Sequence, residues 1–192
     1  MSTSAERLPK LPPGALDEAQ RAVYDTIAGG RRAQGPQLFR LTDDGGCLEG
    51  PFNAFLLQPQ LGGALQALGS AVRYETSLSD RAREIAILIV ADHWESHFEW
   101  YAHEAIGRNV GLSDDELAAL REHRWDALEP AESVIASTTY RLTAEGDLDD
   151  DTFRDASAAL GLPGLFELLA IVGYYAALAL QLRVFRVGVP GS

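Results

Sequence analysis

Two glutamates, a serine and a histidine form the pattern in this sequence that is best suited to chemistry. Glu84 lies in an otherwise apolar segment, and Ser96, Glu99 and His103 follow shortly after it. Because Glu99 and His103 are four residues apart, one helix would place them on the same face, where they could form a carboxylate–imidazole pair. Such a pair fixes the imidazole tautomer and suits general acid–base catalysis near neutral pH. We therefore predict Glu84, Glu99 and His103 as catalytic residues.

The residues around Glu84 suggest the protonation state of its carboxyl and which arginine would bind a substrate acid. Its segment is apolar on almost every side, so the carboxyl is expected to be desolvated and protonated unless an arginine or histidine lies close. In a decarboxylation, an arginine fork would hold the substrate carboxylate, and His103 would return a proton to carbon. Arg73, Arg81 and Arg83 are near in sequence. We predict Arg83 for this role because it neighbours Glu84.

Three further side chains of the same region are predicted to bind substrate: Ser96, His97 and Trp100. The site residues also have structural alternatives. Ser96 and Glu99 have the spacing of a capping box, which would make Ser96 a helix cap. Glu84 could simply pair with an arginine, and His103 could be an interfacial histidine without a catalytic role.

Aromatic side chains near the proposed site could line a pocket for a ring-shaped ligand, or they could be core and interface packing. They are Trp94, Phe98, Trp100, Tyr101, Tyr174 and Tyr175.

A metal site is a further alternative, because His93 and His97 are four residues apart. They could bind one ion if a single helix ran through both. The cap at Ser96 instead predicts a break between them, and His97 and His103 would lie on different sides of a helix. We predict neither a metal ion nor a cofactor.

Composition limits the classes of partner. The 28 acidic residues outnumber the 16 Lys and Arg residues, giving a formal net charge of −12, which repels nucleic acid. Cys47 is the only cysteine, so an intrachain disulfide or a Cys-x-x-Cys redox pair cannot form. The expected partner is a small-molecule substrate.

The sequence gives no sign of membrane targeting. The first ten residues lack the basic-then-apolar pattern of a secretory signal. The longest apolar run, Leu168–Leu180, has 13 residues, fewer than the roughly 20 that span a bilayer. We predict a cytoplasmic protein without a membrane partner.

Capping and breaking residues predict the helices that must position the site. Ser79 and Ser113 each precede an acidic first turn, which is typical of a helix start. Apolar periodicity predicts helices at about 16–27, 51–56, 60–74, 81–91, 97–110, 114–124, 131–142, 150–160 and 165–185.

The predicted architecture is all-α, because no segment alternates with period two. Residues 1–15 hold three prolines and are predicted to form an extended arm, laid on the surface or on a neighbouring subunit. Residues 16–192 are predicted to form a single helical domain. A degenerate internal repeat is suggested by the similarity of 150–172 to 78–90.

Four short motifs carry a resemblance to a known family. They are GPFN at 50–53, LSDRAREIAIL at 78–88, FEWYAH at 98–103 and GLS at 111–113. These motifs resemble those of carboxymuconolactone decarboxylase-like proteins, in the alkylhydroperoxidase D (AhpD)-like superfamily. The resemblance implies an AhpD-like helical fold that assembles as a homo-oligomer, a trimer or hexamer. It also implies an active site near the start of the Ser96 helix, often at a subunit boundary.

The resemblance also shows where this chain departs from the peroxidase branch. Alkylhydroperoxidase D uses a Glu, a Cys-x-x-Cys pair and a His as a proton relay. The same pattern falls here on Glu84, Ser96, Glu99 and His103, so both sulfurs are missing. A hydroxyl and a carboxyl cannot replace a thiolate and its resolving thiol, which disfavours peroxide reduction.

The decarboxylase branch acts without a cofactor on a lactone carboxylic acid of aromatic catabolism. We therefore predict a cofactor-independent lyase, decarboxylase-like, or isomerase, with Glu/His proton transfer on a small carboxylated or lactone-type substrate. One alternative is an alkylhydroperoxidase-like antioxidant protein. The other is a non-catalytic helical oligomer that binds a small hydrophobic ligand.

Overall fold

Helices dominate the computed structural model, which describes residues 6–34 and 36–191. The described residues contain no strand, only an isolated bridge between Thr42 and Leu48. This confirms the predicted all-α class. The α-helices are α1 Glu18–Ala28, α2 Phe52–Phe55, α3 Pro59–Tyr74, α4 Asp80–His93, α5 His97–Asn109, α6 Asp114–Arg121, α7 Pro130–Glu145 and α8 Asp150–Phe185.

Side-chain caps set several of the helix starts. The Ser79 hydroxyl accepts a hydrogen bond from the Ala82 N–H at the start of α4. Ser113 and Glu116 form a complete capping box at α6, and Asp17 forms one with Gln20 at α1. The predicted starts at Ser79 and Ser113 are therefore correct, for the predicted reason.

Helix α4 is the centre of the molecule. Residues Ala82–Ala91 are all buried, and α4 packs against α5, α7 and α8. One apolar cluster, which includes Ile87, lies toward α8, and a second, which includes Leu88, lies toward α6 and the start of α7. A helix that is covered all round can keep a charged group only if that group is neutralised or paired, so Glu84 needs a partner.

Helix α8 contains the break that was predicted between 160 and 165. Gly161 has φ 67° and ψ 166°, which are not helical angles, and Pro163 follows it in the first turn of the second segment. By length and composition α8 is apolar enough to cross a membrane. Half of its most apolar window is nevertheless buried against the rest of the protein, as in a core helix of a soluble protein.

The N-terminal segment packs against its own chain. Leu8 is buried, Lys10 forms an ion pair with Glu49, and the Asn53 side chain accepts from the Leu11 N–H and donates to the Pro9 carbonyl, each at 3.1 Å. Residues 13–15 form a 3-10 turn rather than an extended strand. The rest of the predicted arm, residues 1–5, lies outside the described residues.

Adjacent glycines in α3 provide a test of helix packing. A Cβ added at Gly62 would lie 2.0 Å from the Phe55 carbonyl oxygen, whereas a Cβ at Gly63 would meet nothing closer than Val23 Cγ2 at 3.7 Å. We expect Gly62→Ala to lower the free energy of unfolding by about 2 kcal/mol or more, because α2 must move. Gly63→Ala should leave it unchanged or raise it by about 0.5–1 kcal/mol. Urea denaturation measures both, and equal effects would contradict this packing.

Candidate functional site

A buried hydrogen bond between α4 and α5 is the centre of the candidate site. His103 Nδ1 lies 2.6 Å from Glu84 Oε2, and both side chains are buried. The predicted pairing of His103 with Glu99 is therefore wrong. The helix spacing does put Glu99 and His103 on one face, but the packing of α4 on α5 presents Glu84 to the imidazole. A carboxylate acceptor favours the tautomer with the proton on Nδ1, which leaves Nε2 available as a base.

Glu99 lies in a different environment from Glu84. Its residue is 3 % exposed, and neither carboxyl oxygen has a hydrogen-bond partner among the described residues. Burial raises the pKa of Glu99 to about 8, an effect that the nearby Ser96 hydroxyl partly offsets. At neutral pH this side chain is a carboxylic acid that can donate a hydrogen bond.

Ser96 occupies the N-cap position of α5 but does not form the predicted capping box. Its hydroxyl is buried and makes no cap hydrogen bond. The reason is the backbone: ψ is 89° at Ser96, compared with 155° at Ser79 and 164° at Ser113, whose hydroxyls do cap their helices. Glu95, with φ 49°, is in the left-handed region and makes the sharp turn from α4 into α5.

One narrow cavity joins Glu99 and His103. Its volume is about 30 Å³, and its walls include Phe98, Tyr174 and Tyr175. The His103 and Tyr175 rings meet edge to face, with centroids 5.1 Å apart. Burial raises the pKa of both tyrosines, that of Tyr174 to about 12, so both hydroxyls stay protonated. Of the six aromatic residues considered either as a pocket lining or as packing, Phe98, Tyr174 and Tyr175 line this cavity.

Gly69 of α3 lies close to the Tyr174 hydroxyl of α8, a contact that the sequence did not predict. A Cβ added at Gly69 would lie 2.1 Å from the Tyr174 hydroxyl and 3.0 Å from Arg32 Nη2. The glycine therefore leaves room for both polar groups at one end of the cavity. The Tyr174 hydroxyl has no hydrogen-bond partner among the described residues, so it is available to a ligand.

Two arginines also line the cavity, Arg32 and Arg73. Among the described residues, neither forms an ion pair with a carboxylate; Arg32 lies over the Phe52 ring at 5.2 Å and Arg73 over the Tyr74 ring at 5.6 Å. Arg32 was missed because it is far from Glu84 in sequence. The sequence did indicate a basic segment there, because residues 26–42 contain three arginines and no acidic residue in a chain of charge −12.

The other arginine candidates are engaged elsewhere. Arg83, the predicted carboxylate ligand, does not line this cavity: it pairs with Asp80 one turn earlier in α4 and lines a neighbouring pocket. Arg81 binds Glu116 and Glu132, so it ties α4 to α6 and α7. Sequence proximity to Glu84 therefore did not identify the arginines that line this cavity, because it does not determine the direction in which a helical side chain points.

The other three predicted substrate-binding residues, Ser96, His97 and Trp100, also lie outside the cavity. Trp100 is buried in the core, where its Nε1–H donates to Glu104 at 2.7 Å and the Arg121 guanidinium covers its ring at 3.6 Å. Trp100 is therefore a packing residue. His97 is exposed and borders a separate surface groove together with Ser96.

The histidines considered as metal ligands are separated by the turn between helices. Helix α4 ends at His93 and α5 begins at His97, and both side chains are exposed. In the part of the chain that the structure describes, no three His, Cys, Asp or Glu side chains are grouped so that they could hold an ion.

Comparisons with known proteins identify the fold. No protein-family profile matches the chain, and no curated protein matches it significantly. A solved protein of unknown function from Agrobacterium tumefaciens, described as a candidate antioxidant defence protein AhpD, is similar with a TM-score of 0.66 and 18 % identity. That match covers 73 % of this chain and 97 % of the other.

Two further structures match the whole length of this chain. A complex of the debrominase Bmp8, with one cysteine changed to alanine, and 2,3,4-tribromopyrrole has a TM-score of 0.74 at 13 % identity, over 95 % of that protein. A peroxidase-related protein from Silicibacter sp. TM1040 has a TM-score of 0.73 at 13 % identity, over 94 % of its length. The chain therefore has the AhpD-like helical fold that its motifs implied.

The raised pKa of Glu99 makes a prediction about stability. The unfolded state releases this proton near the ordinary pKa of 4.5, whereas the folded state keeps it up to about pH 8. Between these two values the folded state therefore binds more protons than the unfolded state. Stability should therefore fall as pH rises through this range, by at most about 1.4 kcal/mol per pH unit from this group. Glu99→Gln should remove that slope in urea unfolding measured from pH 5 to 8.5.

Glu145→Gln is the matched control, because Glu145 is exposed at the end of α7. It should keep the wild-type slope. If the Glu99→Gln protein kept it as well, Glu99 would not be a neutral acid in the folded protein.

Proposed function

We propose that this protein is a cofactor-independent enzyme that transfers protons on a small carboxylated or lactone-type organic substrate, as a decarboxylase-like lyase or an isomerase. One observation carries the proposal. A neutral, unpartnered Glu99 and the His103–Glu84 pair meet in one cavity. An acid and a base in unequal environments are what proton transfer at one carbon centre requires.

The two unpaired arginines of the cavity select the substrate. Arg32 and Arg73 lack a carboxylate partner among the described residues, and a guanidinium fork binds a carboxylate with two parallel hydrogen bonds. The aromatic walls would hold the apolar body of the substrate between this anchor and His103. The cavity, of about 30 Å³, is smaller than such a substrate, so its side chains must move apart when the substrate enters.

Proton transfer then follows from the remaining groups. In a decarboxylation, the electron pair of the breaking C–C bond passes to an enolate as CO₂ leaves. The Glu99 acid hydrogen-bonds the enolate oxygen, which stabilises the developing charge. His103, which takes a proton from solvent before this step, returns it to carbon and ends neutral, and Glu84 stabilises the imidazolium in between. In an isomerisation, His103 removes a proton at one carbon and returns it at another.

Thiol-dependent peroxide reduction has little support in this chain. The motif resemblance implies that Ser96 and Glu99 occupy the positions of the paired cysteines, and Cys47 is buried and does not line the cavity. Burial and the neighbouring Asp43 raise the pKa of the Cys47 thiol, which lowers its reactivity. The antioxidant and peroxidase descriptions of similar structures therefore do not extend to the chemistry proposed here.

Turnover of a panel of small lactone acids and unsaturated carboxylic acids, followed by absorbance and mass spectrometry, tests the proposal. His103→Ala should lower kcat by about 10²–10⁴-fold, because it removes the proton carrier. Glu99→Gln should lower kcat while keeping the fold by circular dichroism. His93→Ala, at an exposed position outside the cavity, is the matched control and should retain activity.

Two results would contradict this function. Ligand binding without turnover, unchanged by His103→Ala, would identify a non-catalytic protein that binds a small hydrophobic molecule in its aromatic cavity. Loss of activity in Cys47→Ser, with the fold intact, would instead point to thiol chemistry.

We also propose a cytoplasmic homo-oligomer, a trimer or hexamer. Support comes from exposed apolar side chains spaced along one side of α8, and from others on or next to α3. On α8 they are Leu162, Phe166, Leu169, Leu180 and Val184; the others are Leu57, Leu61 and Leu68. Surfaces of this kind are typical of subunit contacts.

Light scattering tests the assembly. The wild type should have a mass of three or six chains, and Phe166→Glu should shift it toward the 20.8 kDa monomer because a charge must be buried at the contact. Phe153→Glu, at another exposed phenylalanine of α8 before the Gly161 break, is the control and should leave the mass unchanged. A monomeric wild type would refute the oligomer.

A further inference from the structure

A second chamber adjoins the cavity and shares two of its arginines. It has a volume of about 280 Å³, and both chambers are lined by Arg32 and Arg73. His103 lines the inner cavity and Glu84 lines the outer chamber. The Glu84–His103 hydrogen bond therefore crosses the wall between them.

The outer chamber has a charge opposite to that of the whole protein. Its lining contains four arginines, Arg31, Arg32, Arg73 and Arg83, but only two acidic residues, Asp80 and Glu84. In the whole chain, acidic residues outnumber basic ones by 28 to 16. Such a local excess of guanidinium groups attracts an anion.

The existing partners leave this charge uncompensated. Asp80 pairs with Arg83, and Glu84 pairs with His103. Arg31 reaches Glu75, but both side chains of that pair are more than half exposed, so solvent screens it. Arg32 and Arg73 have no ion pair among the described residues.

Arg83 supplies the observation that points to a ligand. The residue is only 7 % exposed, it lines the chamber, and its Nε is buried without a hydrogen-bond partner; Arg32 Nε is in the same condition. Buried N–H donors of a charged group are costly to leave unpaired, and an oxyanion satisfies them better than any neutral acceptor.

We propose that the outer chamber is an oxyanion subsite that holds a second anionic group of the substrate, a carboxylate or a phosphoryl group, distant from the reacting carbon. This inference rests on the proposed function for the identity of the ligand as substrate, but anion binding itself does not require turnover. Arg83 would hold the anionic tail, while Arg32 and Arg73 stand between the two chambers.

Binding of inorganic phosphate and of acetate, at constant ionic strength set with chloride, tests the subsite. Both thermal unfolding and titration calorimetry should show saturable binding of at least one anion, because a ligand of the folded state raises its Tm. Arg83→Gln should weaken that binding by at least about tenfold, the effect of losing a hydrogen bond to a charged group. If Arg83→Gln does not fold, Arg83→Lys replaces it and should also weaken binding, because lysine cannot form the paired hydrogen bonds of a guanidinium group.

Two matched variants should bind the anion like the wild type. Arg154→Gln removes an exposed arginine of α8 that pairs with Asp151, away from the chamber. Glu99→Gln changes the inner cavity alone. If the Glu99→Gln protein still binds the anion but the wild type turns over no substrate, the subsite is supported and the proposed function is refuted.

The relative affinities identify the tail: preference for phosphate indicates a phosphoryl group, and preference for acetate a carboxylate. Non-saturable effects of both anions, or equal binding in the wild type and Arg83→Gln, would overturn the subsite. The subsite would also be overturned if the wild type bound no anion and Arg83→Gln changed the oligomer mass. The arginines would then hold a carboxylate of a second copy of the chain.

Discussion

The structure depends on the pairing of a carboxyl that lies inside the core. Glu84 belongs to a helix that is buried all round, where an unpaired charge would be strongly destabilising. Its hydrogen bond to His103 meets that requirement and fixes α5 against α4. The same contact sets the register of α5, so Glu99, one turn before His103, faces the same cavity. A constraint of core packing thus becomes the geometry of a candidate active site.

The two glutamates differ because only one has a partner. Glu84 accepts a hydrogen bond from an imidazole, whereas Glu99 is enclosed by apolar and aromatic groups and keeps its proton, with a pKa of about 8. In the proposed reaction one carboxyl therefore supports a base and the other acts as an acid, without any change in residue type. Different environments around like groups are a general means of separating acid and base roles.

Sequence reasoning succeeded where the determining contacts are local. Ser79 and Ser113 start helices because each hydroxyl bonds a backbone N–H three residues ahead, and burial around Glu84 follows from its apolar neighbours. It failed where the contact depends on tertiary packing. The spacing of Ser96 and Glu99 fits a capping box, but the turn at Glu95 gives Ser96 a backbone angle that turns its hydroxyl away. The partner of His103 and the position of Arg32 at the cavity likewise depend on contacts between segments that are distant in sequence.

The protonation of Glu99 also explains why the arginines can serve a ligand. Glu99, Arg32 and Arg73 all line the same cavity. An ionised Glu99 would partly compensate the arginines and compete with a substrate carboxylate. Desolvation favours its neutral form, so in the proposed function the positive charge of Arg32 and Arg73 remains available to an incoming acid. The enclosure that would make Glu99 a proton donor would therefore also favour the binding of a substrate acid at the arginines.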